Sequence, residues 1–243
     1  METASTAGRA RVLCGAISTM ALAVGLLATA DARDTSRVPA DGSTIVAQFL
    51  SRPNRAPDQY RALRRLEARN NRFNAEGWLD AWTEYDSQHG FRFQVIGEGG
   101  SRRIRDRALR AILITEQKQA AAGRPLIGDV TRMDYDFLPA AFYEEGLVKL
   151  LVKPRRQEGF LVDGAIFVSA LDADLVRFEG RLAKNPSFWT RRVDVVRHYG
   201  RVGGVQVPLA VESTADVRIA GPSTLTMTYQ YESINGRAVR PSR

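Results

Sequence analysis

GLVKLLVKP (residues 146–154), DLVRFEGRL (174–182) and STLTMTYQYES (223–233) follow one rule: apolar side chains alternate with charged or hydroxyl-bearing ones. Side chains two apart share a face of a strand, so each run describes a strand with one apolar and one wet face. Val148, Leu150 and Val152 oppose Lys149 and Lys153, while Leu225, Met227 and Tyr229 alternate with threonines and Gln230. Between Gly146 and Gly236 the pattern repeats. Runs 160–170 and 174–182 make a hairpin across Leu171, Asp172 and Ala173; runs 189–199, 205–219 and 224–233 continue a meander with Gly200, Gly203, Gly204 and Gly221 at its corners. Strands joined by short turns pair with their neighbours, so the expectation is one large antiparallel sheet.

Upstream, GWLDAWTEYD (77–86) and FRFQVIG (91–97) flank a turn at 87–90 and form another hairpin. Phe91, Phe93 and Val95 point to one face, Arg92 and Gln94 to the other. Trp78 and Trp82 share a face and alternate with Leu79 and Ala81, so this strand is apolar on both sides. Such a strand is packed on both faces or lines a cavity. The stretch 58–70 fits helix or strand, and Tyr60, Ala62, Leu66 and Ala68 tip it towards a strand from Ala62 onwards.

Helices are expected at 43–50, with Ser43 as N-cap and Pro53 as stop, and at 102–121. The second follows Gly97-Glu98-Gly99-Gly100-Ser101, read as a tight turn with Ser101 as N-cap. Its stripe is Ile104, Ala108, Ala111, Ile112 and Thr115, and Gly123 and Pro125 end it. A further strand is expected at 130–137. The fold class is therefore α+β, with two or three helices free to cover one face of the sheet.

Arg9 and Arg11 precede an uncharged, mostly apolar run at 12–30, and residues 28–30 (ATA) and 30–32 (ADA) are both small-x-small cleavage sites. This reads as an export signal over 1–32, cleaved after Ala30 or Ala32, leaving a single domain at 33–243. A retained membrane anchor is the rival reading, because the run approaches the ~20 residues of a spanning helix. Cys14, the single cysteine, follows Leu13 and sits in no lipoprotein cleavage box, so the exported chain has no disulfide and its core alone holds it. The chain's net charge of +8 is mostly arginine. It fits an anionic partner or a solvated basic face; export argues against nucleic acid.

Catalytic signatures are sparse. His89 lies in a turn and His198 on a strand, neither with a second ligand at metal spacing, and no G-x-S-x-G elbow occurs. Asp134 and Asp136 share a strand face and carry the hydrolase alternative. The GEGGS turn lacks the Lys-Ser/Thr pair of a phosphate loop. The chain is read as non-enzymatic, with no cofactor and no metal.

Leu175 to Arg177, the spacing Tyr199-x4-Gly204-x3-Pro208, and Tyr231-x3-Asn235-Gly236 together resemble the outer-membrane lipoprotein-sorting superfamily, whose members include the carriers LolA and LolB and the regulator RseB. The resemblance covers most of the exported chain but misses 53–75 and 124–145. It implies a strongly curved antiparallel sheet, an incomplete barrel, with helices covering its open concave side around a hydrophobic cavity. The implied function is a periplasmic binding protein that holds a lipid or lipoprotein acyl chain for transfer to the outer membrane, with a membrane-protein donor or acceptor. An RseB-like lipid-sensing module is the alternative. The expected cavity lining is Phe91, Phe93, Val95, Val148, Leu150, Val152, Leu225, Met227 and Tyr229, with Trp78 and Trp82 as gates. A charge at Leu150 is expected to abolish acyl binding without unfolding the domain.

Overall fold

Alternating sequence becomes strand throughout the computed structural model, which describes residues 42–52, 57–123, 130, 134–138, 141–143, 146–158, 161–186, 188 and 190–239. Residues 1–32, and with them the signal and Cys14, as well as Pro53 and Pro125, lie outside the described residues. Helix α1 (Gly42–Ser51) leads into β1 (Gln59–Asn70), β2 (Ala75–Asp86) and β3 (Gly90–Gly100). Helix α2 follows in three parts: Arg102–Ile104, a π-helical turn Arg105–Leu109, and Arg110–Ala121. The rest is strand: β4 (Tyr135–Phe137), β5 (Ala141–Tyr143), β6 (Leu147–Pro154), β7 (Val162–Ser169), β8 (Leu175–Leu182), β9 (Thr190–Val202), β10 (Val205–Val217), β11 (Gly221–Ile234) and β12 (Arg237–Ala238).

Among the described residues the strands form one 12-stranded sheet in the order β3-β2-β1-β11-β10-β9-β8-β7-β6-β4, with β5 also on β6 and β12 on β11. Every pairing is antiparallel. The meander is as expected, and β1 is strand from Gln59. What the sequence pattern left unspecified is the joint: β11 returns to pair with β1 along its whole length, joining the N-terminal hairpin to the meander. The sheet is open, since β3 and β4 stand at opposite ends of the order.

Pairing partners define a row of side chains on one face, here the inner face: Leu150, Ile166, Phe178, Arg197, Val211, Met227, Leu66 and Leu79, one from each of eight strands. Two apolar clusters grow on it. Ile45 and Phe49 of α1 pack with Val148, Leu150, Val152, Ile166 and Phe178. Leu109 and Leu113 of α2 pack with Leu66, Leu79, Ala81, Phe91 and Met227.

The α2 stripe corrects the expectation. Ala108, Ala111 and Ile112 are only partly buried and Thr115 is exposed, whereas Leu109, Leu113 and Glu116 are buried. The π turn inserts one residue, so Ile104 is followed on the same face by a residue five positions on, and the downstream register shifts by one. Ser101 does sit at the helix N-cap, but its hydroxyl makes no cap hydrogen bond.

Gly164 and Gly180 face each other across β7 and β8. A Cβ on Gly164 would lie 2.0 Å from the Glu179 carbonyl oxygen, and one on Gly180 (φ +154) would lie 2.3 Å from that of Asp163. Two backbones approach here at a distance that no other residue pair permits.

Candidate functional site: an apolar face with a buried ion pair

Arg64 is the residue that the alternation conceals. It lies in phase with Ala62 and Leu66 on β1 and therefore points into the inner face, where an arginine must be paired or expelled. Its Nη1 donates to Glu116 Oε2 at 2.7 Å and its Nη2 donates to the Tyr60 hydroxyl at 2.7 Å. The guanidinium also lies 4.6 Å from the Tyr229 ring centroid and 5.1 Å from that of Phe91. Aromatic faces give a desolvated cation a partial substitute for water. Both side chains of the ion pair are almost wholly buried, at 4% and 3% exposure.

The electrostatics follow from this burial. Desolvation, the largest influence, would lower the Arg64 pKa, but the Glu116 carboxylate together with the Tyr60 and Tyr229 phenols offsets it and holds the guanidinium well above its ordinary value. Burial pushes the Tyr60 hydroxyl up to about 12, against the pull of Arg64, and raises Tyr229 further. The cluster is a fixed cation and carboxylate surrounded by neutral phenols. The pair ties α2 to the sheet from within the buried layer.

Helix α1 has its own tie. Arg52, just past its C-terminus, pairs with Asp174 at 2.5 Å, and Asp174 also receives Arg201 of β9. The Arg201 hydrogen bond holds the Asp174 carboxyl below its ordinary range against some desolvation, and Arg52 adds to the effect. Helix α1 is thus tied by one arginine–carboxylate contact, whereas α2 has the buried Arg64–Glu116 pair and, nearer the surface, Arg105 and Arg110 on Glu98 of β3 at 2.7 and 2.6 Å.

The expected lining residues fall into three groups. Phe91, Phe93, Val95, Leu225, Met227 and Tyr229 gather around α2. Val148, Leu150 and Val152 gather around α1, on the same face but in the other cluster. Trp78 and Trp82 do not join them. Trp78 pairs with Glu67, and Trp82 with Leu63, on the phase opposite to Leu66 and Ala62, so both indoles stand on the other face of the sheet. Arg65 covers Trp78 at 4.3 Å and Arg61 covers Trp82 at 4.6 Å. These cations, together with the ion pairs of Arg65 to Asp80 and Arg61 to Glu84, make two indoles tolerable on a wet face.

Gly97 and Gly99 explain the glycine-rich segment. A Cβ on Gly99 would lie 2.6 Å from Trp78 Nε1, and one on Gly97 would lie 3.3 Å from the same ring. The Trp78 indole rests on bare β3 backbone, so these glycines serve as its bed; the turn is confined to Gly100 and Ser101. Two open clefts of about 270 Å³ are lined by described residues. One runs beside Trp78, Glu67, Arg69, Thr224 and Thr226 on this second face, and the other lies at the start of β1.

Leu150 has no exposed surface and packs in the α1 cluster, so a charge there would unfold the domain rather than merely block a ligand. Asp134 precedes β4, is buried and receives Arg156; Asp136 is exposed on β4 and receives Arg155. They are not two carboxylates on one exposed strand face. His89 binds Asp86 in its turn, and among the described residues no group of three potential ligands is placed to hold a metal. No family model matches the chain, and no curated protein matches it at significant similarity.

Proposed function

We propose that this chain is a non-enzymatic, exported binding protein of the lipoprotein-sorting type, holding a lipid or lipoprotein acyl chain between the inner face of its sheet and two liftable helices. The observation that carries this reading is the apolar face itself: it spans eight strands, and α1 and α2 each lie on part of it, held by a few arginine–carboxylate contacts, with Arg64–Glu116 the one buried beneath α2. In the reading the sheet curls as an incomplete barrel and the helices close its concave side. With the helices down, their own leucines and phenylalanines fill the space that an acyl chain would take.

Exchange is energetically feasible. An acyl chain gains about 0.8 kcal/mol per buried methylene, so roughly a dozen methylenes offset about 10 kcal/mol of helix–sheet packing. Release at a membrane reverses the exchange. No covalent step is required, and the residues around Arg64 supply none.

Titration of the purified protein with a fluorescent long-chain fatty acid tests the proposal. Saturable binding is expected, and tighter binding in Glu116→Gln, whose weakened tie raises the population with α2 lifted. Absence of saturable binding in both proteins would overturn it.

A further inference from the structure

At one end of the sheet three neighbouring connections each expose a large apolar side chain: Phe73 between β1 and β2 (59% exposed), Ile219 between β10 and β11 (61%), and Phe188 between β8 and β9 (73%). They form one surface. Arg72 Nη1 donates to the Ile219 carbonyl at 2.8 Å, and Asn70 Nδ2 donates to the Ala220 carbonyl at 2.8 Å, which joins the first two turns. The Arg218 guanidinium lies 4.6 Å from the Phe188 ring centroid, which joins the third.

The surroundings are basic. Arg69 is the penultimate residue of β1, Arg72 and Arg218 lie within the turns, Lys184 follows β8, and Arg103 is the second residue of α2, just after β3 ends at the same edge. None of the five is in an ion pair with a carboxylate among the described residues. The acidic groups nearby are Glu76, which is exposed, Asp216, which faces Arg191 at 3.9 Å, and Asp106, which faces Arg102 at 3.4 Å.

We infer that this tip docks on an anionic lipid bilayer, with Phe73, Ile219 and Phe188 entering the acyl boundary and the surrounding arginines on the phosphates. Large apolar side chains exposed together mark an interaction surface. Guanidinium groups take phosphates bidentately, and an anionic leaflet attracts clustered cations. Short apolar tips carried on three separate turns suit a fluid layer, which moulds to them. A folded protein partner would need a matching concavity. This docking stands apart from the acyl-binding reading, because the tip lies at the sheet's end rather than on its inner face.

The test is co-sedimentation of the full chain with phosphatidylcholine vesicles containing or lacking phosphatidylglycerol. Two variants accompany it: Phe73→Ser with Ile219→Ser, and Arg72→Gln with Arg218→Gln. The apolar run at 12–30 is common to all three proteins, so differences between them report the tip. The apolar variant is expected to bind anionic vesicles at least about tenfold more weakly. The arginine variant is expected to lose about fivefold per arginine and much of its salt dependence. Both keep the wild-type circular dichroism, since all four side chains are at the surface. Equal binding by all three proteins would overturn the inference. So would loss of a lipid-free self-association in the apolar variant with vesicle binding unchanged.

Discussion

Arg64 of β1 and Glu116 of α2 meet at 2.7 Å inside a mostly apolar layer, 52 residues apart in sequence. Removing one member of such a pair strands the other without water. Arg64→Ala or Glu116→Ala is expected to cost about 3–5 kcal/mol, read from urea unfolding. Replacing both together, Arg64→Met with Glu116→Leu, is expected to recover most of that loss, because two apolar groups of similar volume need no compensation. If the double variant is as unstable as the singles added together, the pair is not acting as a unit.

The Asp174 site has a pH signature. Its carboxyl is held below the ordinary range by Arg201 and Arg52, so its folded pKa lies under its unfolded value of ~3.9. A depressed folded pKa contributes stability that is fully present above the unfolded pKa and lost as pH falls through the folded one. The gap between wild type and Asp174→Asn should therefore be full near neutrality, begin to narrow as pH falls past about 4, and close only as pH falls through the lower folded-state pKa. The neutral-pH gap is expected to be about 1.5 kcal/mol, at the low end for charged hydrogen bonds because both arginines keep water contact. Proteolysis near α1 should rise in the variant, since Arg52 then loses its charged anchor. Chemical unfolding across pH 3 to 7 measures the first effect.

Trp78 and Gly99 make a third test. Gly99→Ala places a methyl where the indole lies, so the ring must lift away from Arg65, at a cost of about 1–3 kcal/mol. In a Trp78→Ala background the same change should cost far less. Thermal unfolding of the four proteins closes the cycle, and additivity would mean that the ring does not rest on that glycine.

Gly164→Ala is a harsher change. Its methyl meets the Glu179 carbonyl on a backbone that cannot swing aside, so a loss of more than about 3 kcal/mol or failure to fold is expected. Gly203→Ala is the comparison. It has no atom within 4 Å of a new Cβ, so its cost comes only from its positive φ and should be smaller.

Much of this architecture was legible because alternation is a local signal. Each of β6 to β11 carries its own pattern, and short turns leave little freedom in pairing. The β11-to-β1 joint was not legible, since nothing local says which distant edge a strand will meet. The tryptophans were misplaced for a related reason: β2 is apolar on both faces, and only Arg61 and Arg65 on the neighbouring strand reveal which face can be wet. The Arg64–Glu116 pair left a trace that could have been read. An arginine in phase with Ala62 and Leu66, and a glutamate in phase with Leu109 and Leu113, are misfits of opposite charge on elements that must pack. The second phase, however, emerges only once the π turn is known.

The π turn also bears on how this chain tolerates length changes. A wide turn holding one surplus residue between Ile104 and Leu109 is the expected scar of a single insertion, accommodated without rotating either half of the rod. Excising Ala108 should let Arg102–Ala121 close into ordinary α-helix with Ile104, Leu109, Leu113 and Glu116 still aligned. The shortened protein is therefore expected to melt no lower than its parent, whereas excising Ile112, beyond the scar, should throw Leu113 and Glu116 out of alignment and lower the melting temperature.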